Sequence, residues 1–294
     1  MHLAADNSHS GTIELLFDKG ASIDKDNNSL LHCAAGGGYT DTVKLLLDRG
    51  VPIGSANTDG STPLHLAAKN GHSSIIKLLL DKGAPNPTKD VLLHRAAENG
   101  QYNVVELLLA QGTSIESQDN GKDTALYLAA RSHTVTMDLL LSNSNGAAVD
   151  RFRNTPLHIA AKNGHSGVVE LLLENGASIE SIGIYGGTPL HCAALYGRAR
   201  VVELLLGKGA LINAMDGDGD TPLHNAAMGG YTSVVELLLE KGASLDVINK
   251  ANRTPLDVAA RVGHTDMVQL LKERAAELSV RGTHRRPRFL GIFG

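Results

Sequence analysis

Thirteen histidines are the residues of this chain best suited to hold a metal or move a proton. Their spacing argues against both roles. Seven of them, His2, His32, His65, His94, His158, His191 and His224, stand at one place in recurring copies of a Leu-His-x-Ala-Ala segment, and Tyr127 and Asp257 fill that place in two further copies. Another five, His9, His72, His133, His165 and His264, share a second place six or seven residues on, which leaves His284 alone outside the pattern. Ligands and catalytic bases converge on one point, whereas these side chains recur along the chain. A repeated hydrogen-bonding role is therefore expected, with no metal site. Asp216-Gly217-Asp218-Gly219-Asp220 opens like a calcium loop, but the position where a bidentate Glu is required is Ala227, so an acidic hairpin tip is expected instead. A phosphate-binding glycine loop, a nucleophile elbow, His-Glu-x-x-His and Cys-x-x-Cys are all missing from the sequence. No catalytic residue and no cofactor are expected.

The elements that position these residues are clearest in Ser61 to Ala84, STPLHLAAKNGHSSIIKLLLDKGA. Thr62 is an N-cap type before Pro63, whose fixed φ suits the first helical position. Leu64, Ala67 and Ala68 fall at helical spacing and Gly71 stops the run; Ile75, Ile76, Leu78, Leu79 and Leu80 then form a second apolar series that ends at Gly83. Two short antiparallel helices are predicted. Helices of about ten residues are marginal alone in water, so such a unit must stack on copies of itself.

Copies of the segment occur in nine registers, with steps of 30, 33, 29, 33, 31, 33, 33 and 33 residues. A period of about 33 residues carrying Thr-Pro-Leu-His resembles the ankyrin repeat family. The resemblance covers residues 1–278 and implies an all-α solenoid of stacked helix-turn-helix pairs with β-hairpin or loop connections. It also implies that the motif histidine bonds near the Thr cap and bridges neighbouring layers. The first layer is incomplete, since Met1 stands where the motif leucine belongs, and a fragment of a longer protein is expected. In the fourth layer Val91-Leu92-Leu93-His94 replaces Thr-Pro-Leu-His, and Asp90 is the expected substitute cap. The fifth layer, Thr124-Ala125-Leu126-Tyr127, lacks the proline and the inter-helix glycine, which makes it the expected weak joint. Residues 279–294 hold Arg281, Arg285, Arg286 and Arg288 before Phe289, Leu290, Ile292 and Phe293, a basic then apolar tail expected to be disordered.

Composition narrows the partner class. A net charge of 27 − 31 = −4 provides no basic field for nucleic acid. No apolar stretch has the length of a membrane span, and the N-terminus lacks the features of a signal peptide, so a cytoplasmic or nuclear monomer with reduced Cys33 and Cys192 is expected.

Family resemblance implies that a protein partner would contact the hairpin tips and the inner-helix residues before the inter-helix glycine. By register, Arg151, Phe152, Ile184, Tyr185, Leu195, Tyr196, Met215 and Met228 form the predicted groove patch, because aromatic and apolar residues beside Arg match interface hot spots. Asp216, Asp218 and Asp220 are expected to add an acidic rim that favours a basic partner stretch. A non-enzymatic scaffold or adaptor is the leading expectation. The alternative is the targeting portion or accessory subunit of an enzyme system, such as a multidomain protein or a metabolic or ubiquitin-type assembly.

Overall fold

The computed structural model describes residues 10–20, 27–85, 89–131, 133–143 and 154–283. The chain divides into two compact units, Met1–Arg151 and Phe152–Gly294, and the division follows the irregular fifth layer. In the first unit the helices are α1 (Ser10–Asp18), α2 (Asn27–Gly37), α3 (Thr40–Asp48), α4 (Pro63–Asn70), α5 (Ser73–Asp81), α6 (Lys89–Glu98), α7 (Tyr102–Ala110), α8 (Ala125–Ala129) and α9 (Thr134–Ser142). In the second they are α10 (Pro156–Asn163), α11 (Ser166–Glu174), α12 (Pro189–Leu195), α13 (Ala199–Gly207), α14 (Pro222–Gly229), α15 (Thr232–Glu240), α16 (Pro255–Val262) and α17 (Thr265–Thr283). Among the described residues there is no β-strand, only a single bridge between Gln118 and Thr124. The hairpins are loops closed by a pair of backbone hydrogen bonds, as from Asn57 N to Ser61 O with Gly60 N to Asn57 O, and from Asp216 N to Asp220 O with Gly219 N to Asp216 O.

Each regular layer begins as its sequence dictates. Thr62 is extended, its hydroxyl accepts from the His65 backbone N–H, and Pro63 occupies the first turn. The inner helix ends at Gly71 in the left-handed conformation, φ 85°, which a glycine adopts without steric cost. Inner helices pack on inner helices, as α10, α12, α14 and α16 do within the second unit, and each also packs on its own outer helix. The core is Leu64, Ala67, Ala68, Ile75, Ile76 and Leu79 and their register equivalents, none of these six more than 1% exposed. Alanine on the inner helix permits this close approach.

The motif histidine makes the vertical connection. The Thr155 N–H donates to His158 Nδ1 at 3.1 Å, so Nδ1 is the bare nitrogen; Nε2–H then donates to Gly187 O of the next layer at 3.1 Å. His191 repeats this with Thr188 N and Asp220 O, and His224 with Thr221 N and Arg253 O. The second set of histidines bridges in the opposite direction. Nε2 of His72, His133 and His264 donates to Gly36 O, Glu98 O and Met228 O of the preceding layer, at 2.9, 2.9 and 3.0 Å. Arg198 does the same through Nε to Lys162 O. Asp257 replaces the histidine in the ninth layer. Its carboxylate accepts from Thr254 N–H and hydroxyl, which hold its pKa below the usual range, but it has no proton to donate onward.

Two irregular layers depart from the pattern. Asp90 does not cap α6: it lies in the first turn of that helix, where its backbone carbonyl accepts from His94 Nδ1 at 2.6 Å. The missing Thr-Pro lets the helix start earlier, which places Asp90 inside it. In the fifth layer α8 has only five residues, although Thr124 still accepts from Tyr127 N–H. The tail expected from 279 begins inside a helix, because α17 runs to Thr283; 284–294 lie outside the described residues.

Thr42 Oγ1 is buried with no hydrogen-bond partner, at the register held by Ile75, Val104, Val168, Val201 and Val234 in other layers. Thr42→Val removes an unsatisfied hydroxyl without changing the side chain's shape. It should stabilise the first unit by about 1 kcal/mol, read as a higher urea midpoint at constant slope.

Burial lowers the pKa of His65 and His191 from 6.5, and protonation would also take the bare Nδ1 away from its donor. A histidine with a depressed folded pKa contributes stability that is complete above its unfolded value and is lost as pH falls through that value toward the folded one. The melting temperature should therefore fall below about pH 6.5. His191→Ala, which orphans the Thr188 N–H and leaves the Asp220 carbonyl with the Asp216 N–H alone, should cost about 2 kcal/mol at neutral pH and flatten the acid limb of a stability profile.

Candidate partner-binding surface

The exposed edge of the second unit is built by its hairpin tips. In four hairpins of the protein the first tip residue is Asn or Asp: Asn57, Asp119, Asp216 and Asn249. In each, Oδ1 accepts backbone N–H groups two and four residues on, at 2.7 to 3.0 Å. Burial pushes the Asp216 carboxyl pKa up, against the opposing pull of these N–H donors.

The hairpin 183–187 is made differently. Gly183 replaces the Asn or Asp, and a Cβ there would collide with Asn154 Oδ1 and His158 Nε2. Asn154 reaches over from the preceding layer and accepts the Ile184 N–H at 3.1 Å. Tyr185 then takes a left-handed backbone, φ 58° and ψ 16°, and its side chain is 75% exposed. Left-handed backbone costs a residue with a Cβ about 1–2 kcal/mol. A tyrosine held there and turned to solvent contributes little to the core in return. Its carbonyl is anchored by the Gly217 N–H of the next hairpin, where a Cβ would strike that carbonyl.

Further bonds continue this chain of tips. Lys250 N–H donates to Asp218 O at 2.9 Å, and Lys250 Nζ donates to Gly217 O at 2.6 Å. Behind the tips, Glu180 accepts the Leu211 N–H and Asn213 accepts the Ser244 N–H. The edge is consequently preformed.

The residues singled out from sequence fall unevenly on this surface. Arg151 and Phe152 lie outside the described residues. Tyr185 and Met215 are well exposed, Tyr196 and Met228 are each 38% exposed, and Ile184 and Leu195 are half-buried. Tyr185 and the 216–220 hairpin are joined directly through Gly217. Tyr196 ends α12 beneath the ammonium of Lys162, 4.9 Å from its ring centroid, so part of its face is already used. Met228 lines a cleft of about 610 Å³ with Asp218, Asp220, Asn249, Lys250, Ala251, Arg253, Val258, Arg261 and Val262.

That cleft corrects the expected acidic rim. Asp216 is occupied by its own hairpin, and Asp220 is 7% exposed with its carboxylate accepting from Asn249 Nδ2 at 2.6 Å. Asp218 alone of the three remains exposed without a side-chain bond, and three cations share its cleft. The register pairs Arg261 with Val262 in the slot before the inter-helix glycine of the ninth layer but leaves both out of the predicted patch, and Arg253 has no signal in the sequence. Val262 is 50% exposed in that slot before Gly263.

Cys33 and Cys192 form no disulfide, and burial pushes the Cys192 thiol up to about 11. Among the described residues no group of three His, Cys, Asp or Glu side chains is placed to hold a metal, and no helix is long and apolar enough to cross a membrane.

A family model described as Ankyrin repeats (3 copies) matches residues 1–90, 93–183 and 190–281, and another, Ankyrin repeats (many copies), matches 167–206. Comparison with curated proteins gives no match.

Tyr185→Gly removes the steric cost of the left-handed residue while keeping the carbonyl that Gly217 binds. We expect it to hold or raise the stability of the second unit, by up to about 1 kcal/mol, seen as an unchanged or higher denaturant midpoint with unchanged slope. A tyrosine that served the fold would give the opposite sign.

Proposed function

Because the chain belongs to the ankyrin repeat family, whose repeats are generally protein–protein interaction modules, we propose that it is a non-catalytic adaptor that binds another protein through the tips and inner helices of its second unit. The single observation that carries this reading is Tyr185, a large aromatic side chain held exposed on a strained backbone by neighbours on both sides. Strain of that kind persists where the surrounding structure over-determines it, and it collects at functional sites.

The chemistry of binding follows from the neighbours. Tyr185, Met215, Tyr196 and Met228 offer aromatic and thioether surface of the kind that anchors interfaces, and Arg and Lys residues stand near it. Little ordering entropy is lost on binding, since the tips are already bonded to one another. A non-catalytic role suits the motif histidines His158, His191 and His224, whose ring nitrogens are committed to backbone groups, and the Cys192 thiol, which burial keeps protonated.

Simultaneous replacement of Tyr185 and Tyr196 by alanine tests the surface. Affinity capture from the source cells, compared between wild type and this variant by quantitative mass spectrometry, should show a protein held by the former and lost by the latter. Its affinity for the variant should be at least about tenfold weaker while the helical signal is retained. Identical captured sets would remove the assignment.

A further inference from the structure

The cleft on the last two layers carries a charge pattern unlike the rest of the second unit's edge. The tips 216–220 and 249–253 supply one part of its lining, and Met228 of α14 with Val258, Arg261 and Val262 of α16 supply the other. Its volume of about 610 Å³ falls among those of sites that take a small molecule or a few residues of peptide.

Of the two acids in it, Asp220 is turned inward to Asn249, a neutral partner that leaves its charge in place, and Asp218 is exposed, so three cations stand against two carboxylates. The cations are less satisfied. Lys250 Nζ donates to a neutral acceptor, the Gly217 carbonyl, so its charge is not cancelled. Arg253 has the exposed Asp257 carboxylate within electrostatic reach, and that carboxylate is already bonded to Thr254. Arg261 is exposed and makes no hydrogen bond or ion pair among the described residues. Beside them Val262 is 50% and Met228 38% exposed, an aliphatic floor under a positive margin.

We infer that this cleft binds an acidic peptide segment in which an aliphatic side chain lies on Met228 and Val262 and flanking carboxylates meet Arg253 and Arg261. The inference rests on the protein-binding reading above and gives the chemistry of the stretch that crosses the last two layers. Guanidinium groups suit it because they pair with carboxylates through two parallel bonds. A nucleic acid would satisfy the cations but leave the aliphatic floor uncovered, and the cleft lining contains no aromatic ring on which a base could stack. The chain's net charge of −4 also opposes a long polyanion, whereas a short acidic segment meets only the local field.

The test is selection of a displayed random dodecapeptide library on the full chain, in parallel with the Arg253→Glu/Arg261→Glu double variant. Wild type should enrich Asp or Glu beside Leu, Ile, Val or Met. The double variant should lose that enrichment and turn toward Lys and Arg. The most enriched peptide, synthesised and titrated by fluorescence polarisation, should bind the double variant about tenfold more weakly or worse, and its wild-type affinity should fall with added salt. Arg261→Glu alone, at an exposed position, should show the same direction if the double variant folds poorly. An absence of acidic enrichment, an unchanged preference in the Arg261→Glu chain, or equal peptide affinities would each overturn the inference. Failure of the broader reading is seen separately, since the Tyr185/Tyr196 variant keeps both arginines.

Discussion

The stacking depends on one asymmetric side chain, the neutral imidazole of the motif histidine. In the regular layers one nitrogen accepts from the N–H of the layer's own Thr cap and the other donates to a carbonyl of the next layer, as His158, His191 and His224 do, whereas His94, without a Thr cap, keeps only the bond to the next layer and turns Nδ1 to the Asp90 carbonyl. Few side chains present a bare acceptor and a donor on opposite edges of a rigid ring. Because both partners are backbone groups, the bond pair fixes where each hairpin sits on the layer beneath it. The same ring that starts the inner helix thereby positions the tip that carries the candidate binding residues.

This asymmetry gives the stack a direction. Motif histidines bond forward, while His72, His133, Arg198 and His264 bond backward to the end of the preceding inner helix. The backward bonds explain the inter-helix glycines more fully than backbone conformation alone. A Cβ on Gly38, Gly100, Gly164 or Gly230 would meet the ring or guanidinium of His72, His133, Arg198 or His264. Glycine is required twice over, for φ and for space. In the ninth layer Asp257 keeps the cap-accepting half of the role alone.

Most of the fold was legible because the repeat multiplies each weak signal. A Thr-Pro step or a Leu-x-x-Ala-Ala face says little once, but nine registers leave one reading. What stayed hidden was non-local or lay in the copies that depart from the pattern. Asp90 resembled a cap, yet without Thr-Pro the helix begins before it. The acidic tip read as a negative rim, because nothing in Asp216-Gly-Asp-Gly-Asp reveals that Asp216 folds onto its own backbone and Asp220 onto Asn249. Tyr185 was visible as an aromatic at a tip. Its left-handed backbone was not, since the cause lies in Gly183, Asn154 and Gly217, thirty or more residues apart at the extremes.

The same three residues bear on where binding surface can be built. In regular hairpins the Asn or Asp side chain caps the tip's own N–H groups from within, and the left-handed residue is the fourth of the tip, as at Lys122, Gly219 and Asn252, rather than the third as at Tyr185. Giving up the Asn or Asp at Gly183 transfers the task to Asn154 below and Gly217 above. The hairpin can then adopt a conformation that its own sequence would not sustain, and Tyr185 is presented without being buried. Lys250 extends the same exchange upward, using its ammonium on the Gly217 carbonyl at the margin of the cleft. Rigid presentation at this edge is therefore a property of stacked layers rather than of any one repeat, and detaching the last layer would loosen the tips on which both surfaces are formed.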